Sequence, residues 1–139
     1  MHSVPNRPML QHARVLLVED FLPWGYVSNQ QVLVANGIPY DVVPSSQLAT
    51  TTLSNYSMMI VASDQSQGTY NILASRMGQI EQFVYNGGTL EFHAASFGYN
   101  GGNSAVLILP GGTSIVPSYY GDNFVDLPGH PIVQGVPNP

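Results

Sequence analysis

Short apolar runs alternate with polar or glycine- and proline-containing segments along most of the chain. The run at 14–20 places four aliphatic residues before two carboxylates, a pattern typical of a parallel strand that is buried on both faces. Comparable runs predict strands at 40–43, 58–62, 89–95 and 106–109, each bounded by turn residues. We expect the first, third and fourth strands to be central, because the second is short and bounded by prolines.

Helical periodicity appears between these strands. The segment 27–36 is predicted to be a helix that ends at Gly37, a residue suited to the left-handed conformation after the last turn. Between Tyr70 and Val84, apolar residues recur three and four positions apart, and Thr69 is positioned to cap this second helix. Strands that alternate with helices predict an α/β, flavodoxin-like, doubly wound and mostly parallel sheet with helices on both faces.

The length of 139 residues fits a single fold with one core. Residues 1–13 are mostly polar and contain two prolines, so we interpret them as a flexible arm or a cloning remnant. Residues 14–139 are then expected to form one domain.

Composition removes several classes of function. Only 8% of residues are charged and lysine is absent, so the chain lacks the basic stripe that nucleic-acid binding needs. The absence of cysteine excludes disulfides, thiolate metal sites and cysteine nucleophiles. The four histidines show no metal-ligand spacing, and no apolar run is long enough to span a bilayer. We therefore expect no metal, cofactor or membrane insertion, and we interpret this weakly charged composition as that of a secreted or cell-surface protein.

The carboxyl end of the sheet is the expected ligand site, because doubly wound sheets bind ligands there, near the reversal in strand order. Glu19 and Asp20 follow the first strand and Asp64 follows the third. Trp24, in the loop after the first strand, is suited either to stack on a sugar ring or to cap the core, and the same holds for the neighbouring Tyr26. We favour the core role for both.

The fourth strand carries a second set of candidates. Strand alternation puts Glu91 and His93 on one face, and Ser96 follows three residues later. A serine nucleophile needs a histidine base that a carboxylate orients, so His93, Ser96 and Asp64 are the candidate catalytic residues. The alternative is a structural Glu-His pair at the end of a buried strand, and we favour it.

Two resemblances bear on function. The Val-Leu-Leu-Val-Glu-Asp run, together with Asp64, resembles the acidic pocket of response-regulator receiver domains, but the lysine that their mechanism requires is missing. The segment 87–95, with Gly-Gly before an apolar strand that carries His-Ala, resembles the class I glutamine-amidotransferase-like superfamily. It is most similar to the trehalose-utilisation-type branch and to related domains of secreted bacterial proteins. The His-Pro-Ile segment at 130–136 strengthens this resemblance, which covers roughly 14–136.

The resemblance implies a flavodoxin-like fold, but it does not imply glutamine hydrolysis. The turn after the fourth strand holds Ser96 where such enzymes carry their nucleophilic cysteine, and the chain has no cysteine. Members of this superfamily continue past His-Pro-Ile with further strands. We therefore expect the chain to be a fragment or a minimal version of the domain.

The favoured hypothesis is a non-catalytic amidotransferase-like domain of a secreted or cell-surface protein that serves binding or assembly. The alternatives are a hydrolase acting on a carbohydrate-like substrate and a degenerate receiver-like domain. Self-association is expected through 113–123, where Tyr119 and Tyr120 lack a strand or helix period. A carbohydrate-like small ligand would contact these candidate residues: Glu19, Asp20, Trp24, Asp64, His93 and Ser96.

Overall fold

The computed structural model describes residues 13–117, and a parallel sheet lies at their centre. Its strands are β1 (Val15–Val18), β2 (Tyr40–Val43), β3 (Met58–Val61) and β4 (Thr89–Phe92). They are arranged in the order β2-β1-β3-β4, and every neighbouring pair is parallel. The strand order reverses between β1 and β3, as in flavodoxin-like folds.

Helices connect the strands and cover both faces of the sheet. α1 (Ser28–Ala35) links β1 to β2, whereas α2 (Gln67–Ser75) and α3 (Met77–Tyr85) link β3 to β4. The predicted stop after α1 is confirmed, since Gly37 has a φ of 64° and its N–H donates to the carbonyl of Val34 at 3.0 Å. Glycine adopts this left-handed conformation without the steric penalty of a Cβ. The predicted α/β, flavodoxin-like, doubly wound fold is confirmed.

The sheet divides the core into two layers of unequal size. Leu16 and Val18 belong to the larger layer, under α2 and α3, whereas Val15 and Leu17 belong to the smaller layer with Leu33 of α1. All four residues of β1 are at most 4% exposed, so the predicted burial of this strand is confirmed. The larger layer contains these buried residues: Leu16, Val18, Leu48, Leu53, Met59, Val61, Tyr70, Leu73, Ile80, Phe83 and Leu107.

The single helix predicted between Tyr70 and Val84 is in fact two helices that meet at Arg76. Arg76 leaves helical geometry, with a φ of -105° and a ψ of 5°, while its N–H still donates to the carbonyls of Ile72 and Leu73. The change of direction lets both helices keep an apolar side against the same face of a twisted sheet.

The predicted cap of this helix at Thr69 was wrong. α2 begins earlier, and the side chain of Ser66 caps it by accepting a hydrogen bond from the N–H of Thr69 at 3.2 Å. The Thr69 hydroxyl is engaged elsewhere, since it donates to Asp20 at 2.6 Å. A tertiary partner decided the role of this hydroxyl.

Two predictions about the sheet were wrong. β4 is not central among the described strands but lies at one end of the order, and its residues alternate between exposed and half-buried. The predicted parallel strand at 106–109 contains only a two-residue strand, β5 (Ile108–Leu109), which pairs antiparallel with β6 (Thr113–Ser114). The Pro-Gly-Gly turn between them reverses the chain, with a φ of 78° at Gly111.

Several predictions fall on residues that the structure does not describe. These are the arm up to residue 12, the His-Pro-Ile segment at 130–136, the end of the chain at 137–139, and the pair Tyr119 and Tyr120. Part of the stretch 113–123, predicted without strand structure, is described. It contains β6, followed by Ile115, which packs against the larger core layer, and Val116, which is 83% exposed. Between residues 13 and 117, no helix is long and apolar enough to cross a membrane.

Candidate functional site

A buried glutamine joins the carboxyl ends of β1 and β3, where the strand order reverses. Gln65 is fully buried, and its Oε1 accepts hydrogen bonds from the N–H groups of Asp20 and Phe21 at 2.9 and 3.1 Å. Its Nε2 donates to the carbonyls of Phe21 and Ser63 at 2.7 and 2.8 Å. All four hydrogen-bonding positions of the amide are used. The loop after β1 is therefore fixed to the end of β3.

The Asp20 carboxylate binds two other parts of the same chain. Its Oδ1 accepts from the N–H of Ser45, and its Oδ2 accepts from the hydroxyls of Ser45 and Thr69, all at 2.6 Å. Ser45 follows β2 and Thr69 lies in the first turn of α2. Short hydrogen bonds to an ionised acceptor are stronger than neutral ones. Asp20 therefore connects three segments of the fold.

The Asp64 side chain connects two surface loops by hydrogen bonds. It is only 1% exposed, and its Oδ2 and Oδ1 accept from the N–H groups of Trp24 and Asn100, both at 3.0 Å. The Nδ2 of Asn100 also donates to the Asp64 carbonyl at 2.8 Å. A Cβ at Gly98 would lie 2.2 Å from Oδ1, so the loop after β4 approaches this closely because glycine has none. One buried carboxylate thus holds the loops that follow β1 and β4.

Backbone strain is concentrated at this end of the sheet. Among the described residues, three other than glycine have a positive φ: Trp24 at 48°, Asp64 at 54° and Phe97 at 61°. Such conformations cost on the order of 1–3 kcal/mol each and persist only where surrounding contacts enforce them. Here the contacts are the bonds of Asp64 to both loops and a 2.8 Å bond from the Phe97 N–H to the carbonyl of Gly102.

The two loops expose aromatic side chains. The core role favoured for Trp24 and Tyr26 was wrong, because these side chains are 42% and 69% exposed. Phe21 is 47% exposed on the same loop, and Phe97 and Tyr99 are 54% and 83% exposed on the loop after β4. Trp24 and Tyr26 occupy a turn in which the N–H groups of the two residues after Trp24 bond back to Leu22 and Pro23, at 3.0 and 2.9 Å. This turn leaves the rings on its outer side.

Glu19 lies behind the Asp20 cluster, towards α1. Its Oε1 accepts a hydrogen bond from the Nε2 of Gln30 at 2.7 Å, whereas its Oε2 is buried and has no partner among the described residues. Burial raises the pKa of Glu19, and the bond from Gln30 partly offsets this effect. Glu19 is therefore harder to ionise than a carboxyl in water.

His93 and Glu91 form a pair at the carboxyl end of β4. The His93 Nε2 lies 2.5 Å from the Glu91 Oε1, which confirms that the two side chains share one face of the strand. Their side chains are 33% and 46% exposed, so the expectation of a pair on a buried strand was wrong. The physical reason is that β4 lies at the end of the strand order.

Ser96 contacts other polar groups of its own loop. Its Oγ lies 2.9 Å from the Oγ of Ser104, accepts from the Ser104 N–H at 3.1 Å, and donates to the Oδ1 of Asn103 at 3.3 Å. It lines an open groove of about 290 Å³ whose walls include Phe97 and Pro117. Within residues 13–117, Ser96 makes no hydrogen bond to an imidazole or a carboxylate.

The predicted site residues therefore form separate groups. Asp20, Trp24 and Asp64 lie together at the junction of β1 and β3, whereas His93 and Ser96 follow β4 without bonding to each other. Gln65 and Asn100, which complete the network, were missed. Gln65 follows Asp64 directly, but nothing local predicts bonds to partners 44 and 45 residues away. In the part of the chain that the structure describes, no three His, Asp or Glu side chains converge as metal ligands would.

The chain is similar to an uncharacterized protein of Clostridium acetobutylicum, with 32% identity over 92 residues. The match covers 64% of this chain and 9% of that protein, so the chain spans less than a tenth of the length of this relative. No family model matches the sequence, and no solved structure shows a significant match. The name of the relative states no activity, substrate or partner.

Proposed function

We propose that this chain is a non-catalytic, amidotransferase-like domain of a secreted or cell-surface protein, and that it serves binding or assembly. The observation that carries the proposal is that donors and acceptors of the chain itself occupy the polar side chains at the carboxyl end of its sheet. Asp20 and Asp64 accept hydrogen bonds from loops and from a helix. The side-chain amide of Gln65 accepts two hydrogen bonds and donates two, all within the chain. In this proposal these residues shape a surface and take no part in a reaction.

The surroundings of Ser96 support the same proposal. A serine nucleophile needs a base within about 3.2 Å of its hydroxyl. The partners of Ser96 are Ser104 and Asn103, neither of which is basic, and His93 pairs with Glu91 instead. A hydrolase would have to bring His93 and Ser96 together by rearranging the end of β4.

The match to the clostridial protein supports a role as one module of a larger chain, since the aligned region is a small part of that relative. The proposed location outside the cell rests on composition. The chain has no lysine and few charges, so its surface depends on uncharged polar groups.

The hydrolase alternative has one observation in its favour, the open groove beside Ser96. The receiver-like alternative has in its favour that Asp20 and Asp64 lie at the same end of the sheet. Asp64, the residue that would accept a phosphoryl group, is buried and bonded to Trp24 and Asn100.

An activity screen tests the non-catalytic role. The purified chain is incubated with chromogenic glycosides, esters and amides, beside the Ser96→Ala and His93→Ala variants. We expect all three proteins to match the buffer blank. Turnover by the wild type that both substitutions abolish would overturn the proposal in favour of a hydrolase, and a phosphorylated intact mass after treatment with acetyl phosphate would favour the receiver alternative.

Location and assembly need separate measurements. Antibodies against the chain should detect the protein in the medium or on the surface of intact source cells, and labelling only after lysis would contradict the proposed location. Light scattering over a concentration series measures self-association. A mass that rises with concentration supports assembly, whereas a constant monomer mass leaves binding as the role.

A further inference from the structure

The exposed aromatic side chains of the described residues are concentrated in one place. Six aromatic side chains between residues 13 and 117 are exposed, and five of them lie on the two loops that Asp64 holds. The sixth, Tyr85, lies at the end of α3. We call the five the aromatic platform: Phe21, Trp24, Tyr26, Phe97 and Tyr99. A cluster of exposed rings on ordered loops is typical of a binding surface.

Hydrogen bonds hold the backbone of both loops beneath the platform. Trp24 and Asn100, one from each loop, donate their N–H groups to the two oxygens of the same buried carboxylate at 3.0 Å. The loop after β4 is held again by a bond from the Gly102 N–H to the carbonyl of Gln65 at 3.1 Å. Rings on fixed loops bind with little loss of conformational entropy.

The charges at this end of the sheet disfavour an anionic ligand. Neither arginine of residues 13–117 lies here, because Arg14 precedes β1 at the opposite end of the sheet and Arg76 lies between α2 and α3. The Asp20 and Asp64 carboxylates are occupied by donors of the chain itself, and Glu91 is paired with His93. The loops therefore offer a ligand ring faces and uncharged polar groups.

The geometry points to a neutral glycan as the ligand, and we propose that the aromatic platform stacks on the apolar faces of its sugar rings. A sugar presents C–H groups on its faces and hydroxyls at its rim, which matches rings that alternate with exposed backbone, such as that of Gly25. An apolar protein partner fits less well, because Leu22 and Val27 are the two large aliphatic residues exposed on these loops, and the loop after β4 is otherwise rich in Gly and Asn.

In this proposal Asp64 is a positioning residue that never touches the sugar. It is 1% exposed, and it acts by holding Trp24 and the loop of Tyr99 in one arrangement. The inference rests on the proposed binding function and adds a ligand class and the residues that contact the ligand.

Tryptophan fluorescence tests the proposal without any substitution, because Trp24 is the single tryptophan of the chain. The probes are soluble oligosaccharides of cellulose, chitin and starch, with oligogalacturonate as the anionic comparison. We expect at least one neutral oligosaccharide to shift or quench the emission in a saturable way and oligogalacturonate to have no effect. A response to oligogalacturonate alone, or to none of the four probes, would overturn the proposal.

Variants then test the platform itself by pull-down on insoluble cellulose, chitin and starch. Trp24→Asn removes the ring but keeps a residue that tolerates a positive φ, and Tyr99→Ala removes a ring from the other loop. Each should weaken binding about tenfold, as expected for the loss of one stacked ring. The matched control is Tyr85→Ala, which removes a ring as exposed as that of Tyr99 but located at the end of α3, and should leave binding unchanged. Equal losses in all three variants, or none in Trp24→Asn and Tyr99→Ala, would contradict the proposal.

A glycine variant tests the positioning role of Asp64 while keeping every ring. Gly98→Ala places a methyl group 2.2 Å from the Asp64 Oδ1 and must displace the loop that carries Tyr99. We expect weaker glycan binding with the sheet still folded by circular dichroism, whereas Gly78→Ala, whose added methyl group meets nothing within 4 Å, should bind normally. Unchanged binding by Gly98→Ala would overturn the positioning role.

The outcomes separate this inference from the proposed function. Cleavage of the bound oligosaccharide that depends on Ser96 would refute the non-catalytic role and leave the platform in place. A dimer that Trp24→Asn dissociates, in a protein that binds no glycan, would refute the glycan and leave assembly as the role of this surface.

Discussion

The two ends of the parallel sheet use polar residues in opposite ways. At the amino end, Arg14 donates through its Nε to the Asp41 Oδ2 at 2.6 Å and through a second nitrogen to Oδ1, and the Tyr56 hydroxyl donates to Oδ2 at 2.9 Å. The Arg14 and Asp41 side chains are 42% and 38% exposed, so solvent screens their attraction. This cluster ties the starts of β1, β2 and β3 together at the surface.

At the carboxyl end, the polar groups are buried and their partners are loops. Asp64 and Gln65 are at most 1% exposed, and they bind the backbone of the segments after β1 and β4. Removing such a group leaves backbone donors or acceptors unpaired and buried, which costs more than the loss of a surface ion pair. From this comparison we expect the cost of breaking a polar cluster to depend on its burial more than on its charge.

The largest expected effect is that of Gln65→Glu. The new carboxylate would face the carbonyls of Phe21 and Ser63, to which the amide now donates, in a site without solvent. We expect a loss of about 4 kcal/mol in the free energy of unfolding by urea at pH 7. Part of it should return at pH 5, where protonation restores one donor. The same change on the surface of α1, Gln31→Glu, should be nearly neutral.

Asp64→Ala should be next in size. It removes the acceptor of the Trp24 and Asn100 N–H groups and places alanine at a φ of 54°, so we expect a loss of about 3 kcal/mol. Asp64→Asn should lose less, since asparagine keeps one acceptor and tolerates this φ. Urea unfolding of both variants measures the difference. Equal stability of Asp64→Ala and the wild type would mean that the hydrogen bonds of Asp64 do not order the two loops.

Thr69→Val removes one of the three bonds to Asp20, together with the 3.1 Å bond between the Thr69 and Ser66 hydroxyls. Asp20 would lose the hydroxyl of Thr69 and keep both bonds from Ser45. We expect a loss of about 1.5 kcal/mol, typical of a hydrogen bond to a charged group. Thr52→Val is the control, because Thr52 is exposed and its side chain makes no capping bond. A loss no greater than that of the control would place Asp20 among the weakly stabilising groups.

Asp41→Asn should have a smaller effect, and its dependence on pH identifies it. The hydrogen bond from Arg14, followed by that from Tyr56, lowers the pKa of Asp41 to about 2. A carboxyl with a pKa below its unfolded value of about 3.9 stabilises the fold above that pH, and this stabilisation is lost as the pH falls towards 2. The stability difference between wild type and variant should therefore be constant above about pH 5 and shrink between about pH 4 and 2.

Glu19→Gln should have the smallest effect, with the opposite sign. Burial raises the pKa of Glu19, so the ionised form costs stability that is regained as the pH falls and lost as it rises through the folded pKa. The variant, which cannot ionise, should be as stable as the wild type at low pH and slightly more stable at pH 7. Chemical unfolding at both pH values measures this, and a variant less stable than the wild type at pH 7 would contradict the assignment.

The sequence alone determined the elements whose signals are local. The buried run of β1, the glycine stop after α1 and the placement of Asp20 and Asp64 at strand ends were all predictable, because apolar burial and glycine geometry depend on neighbouring residues. The α/β class followed from the alternation of these elements. The shared face of Glu91 and His93 followed from strand periodicity.

The tertiary structure decided how distant polar groups pair and which apolar residues stay exposed. The bonds that join Gln65 to Phe21 and Asp64 to Asn100 span 44 and 36 residues, and they form because the spatial order of the strands brings these segments together. The strand order β2-β1-β3-β4 also places β4 at one end of the described sheet. Trp24 was predicted in the core because a large ring favours burial. The buried Asp64 instead binds the Trp24 N–H, the Trp24 backbone is left-handed, and the ring is exposed to solvent. Local propensity cannot encode such a choice, because the partner that enforces it comes from another strand.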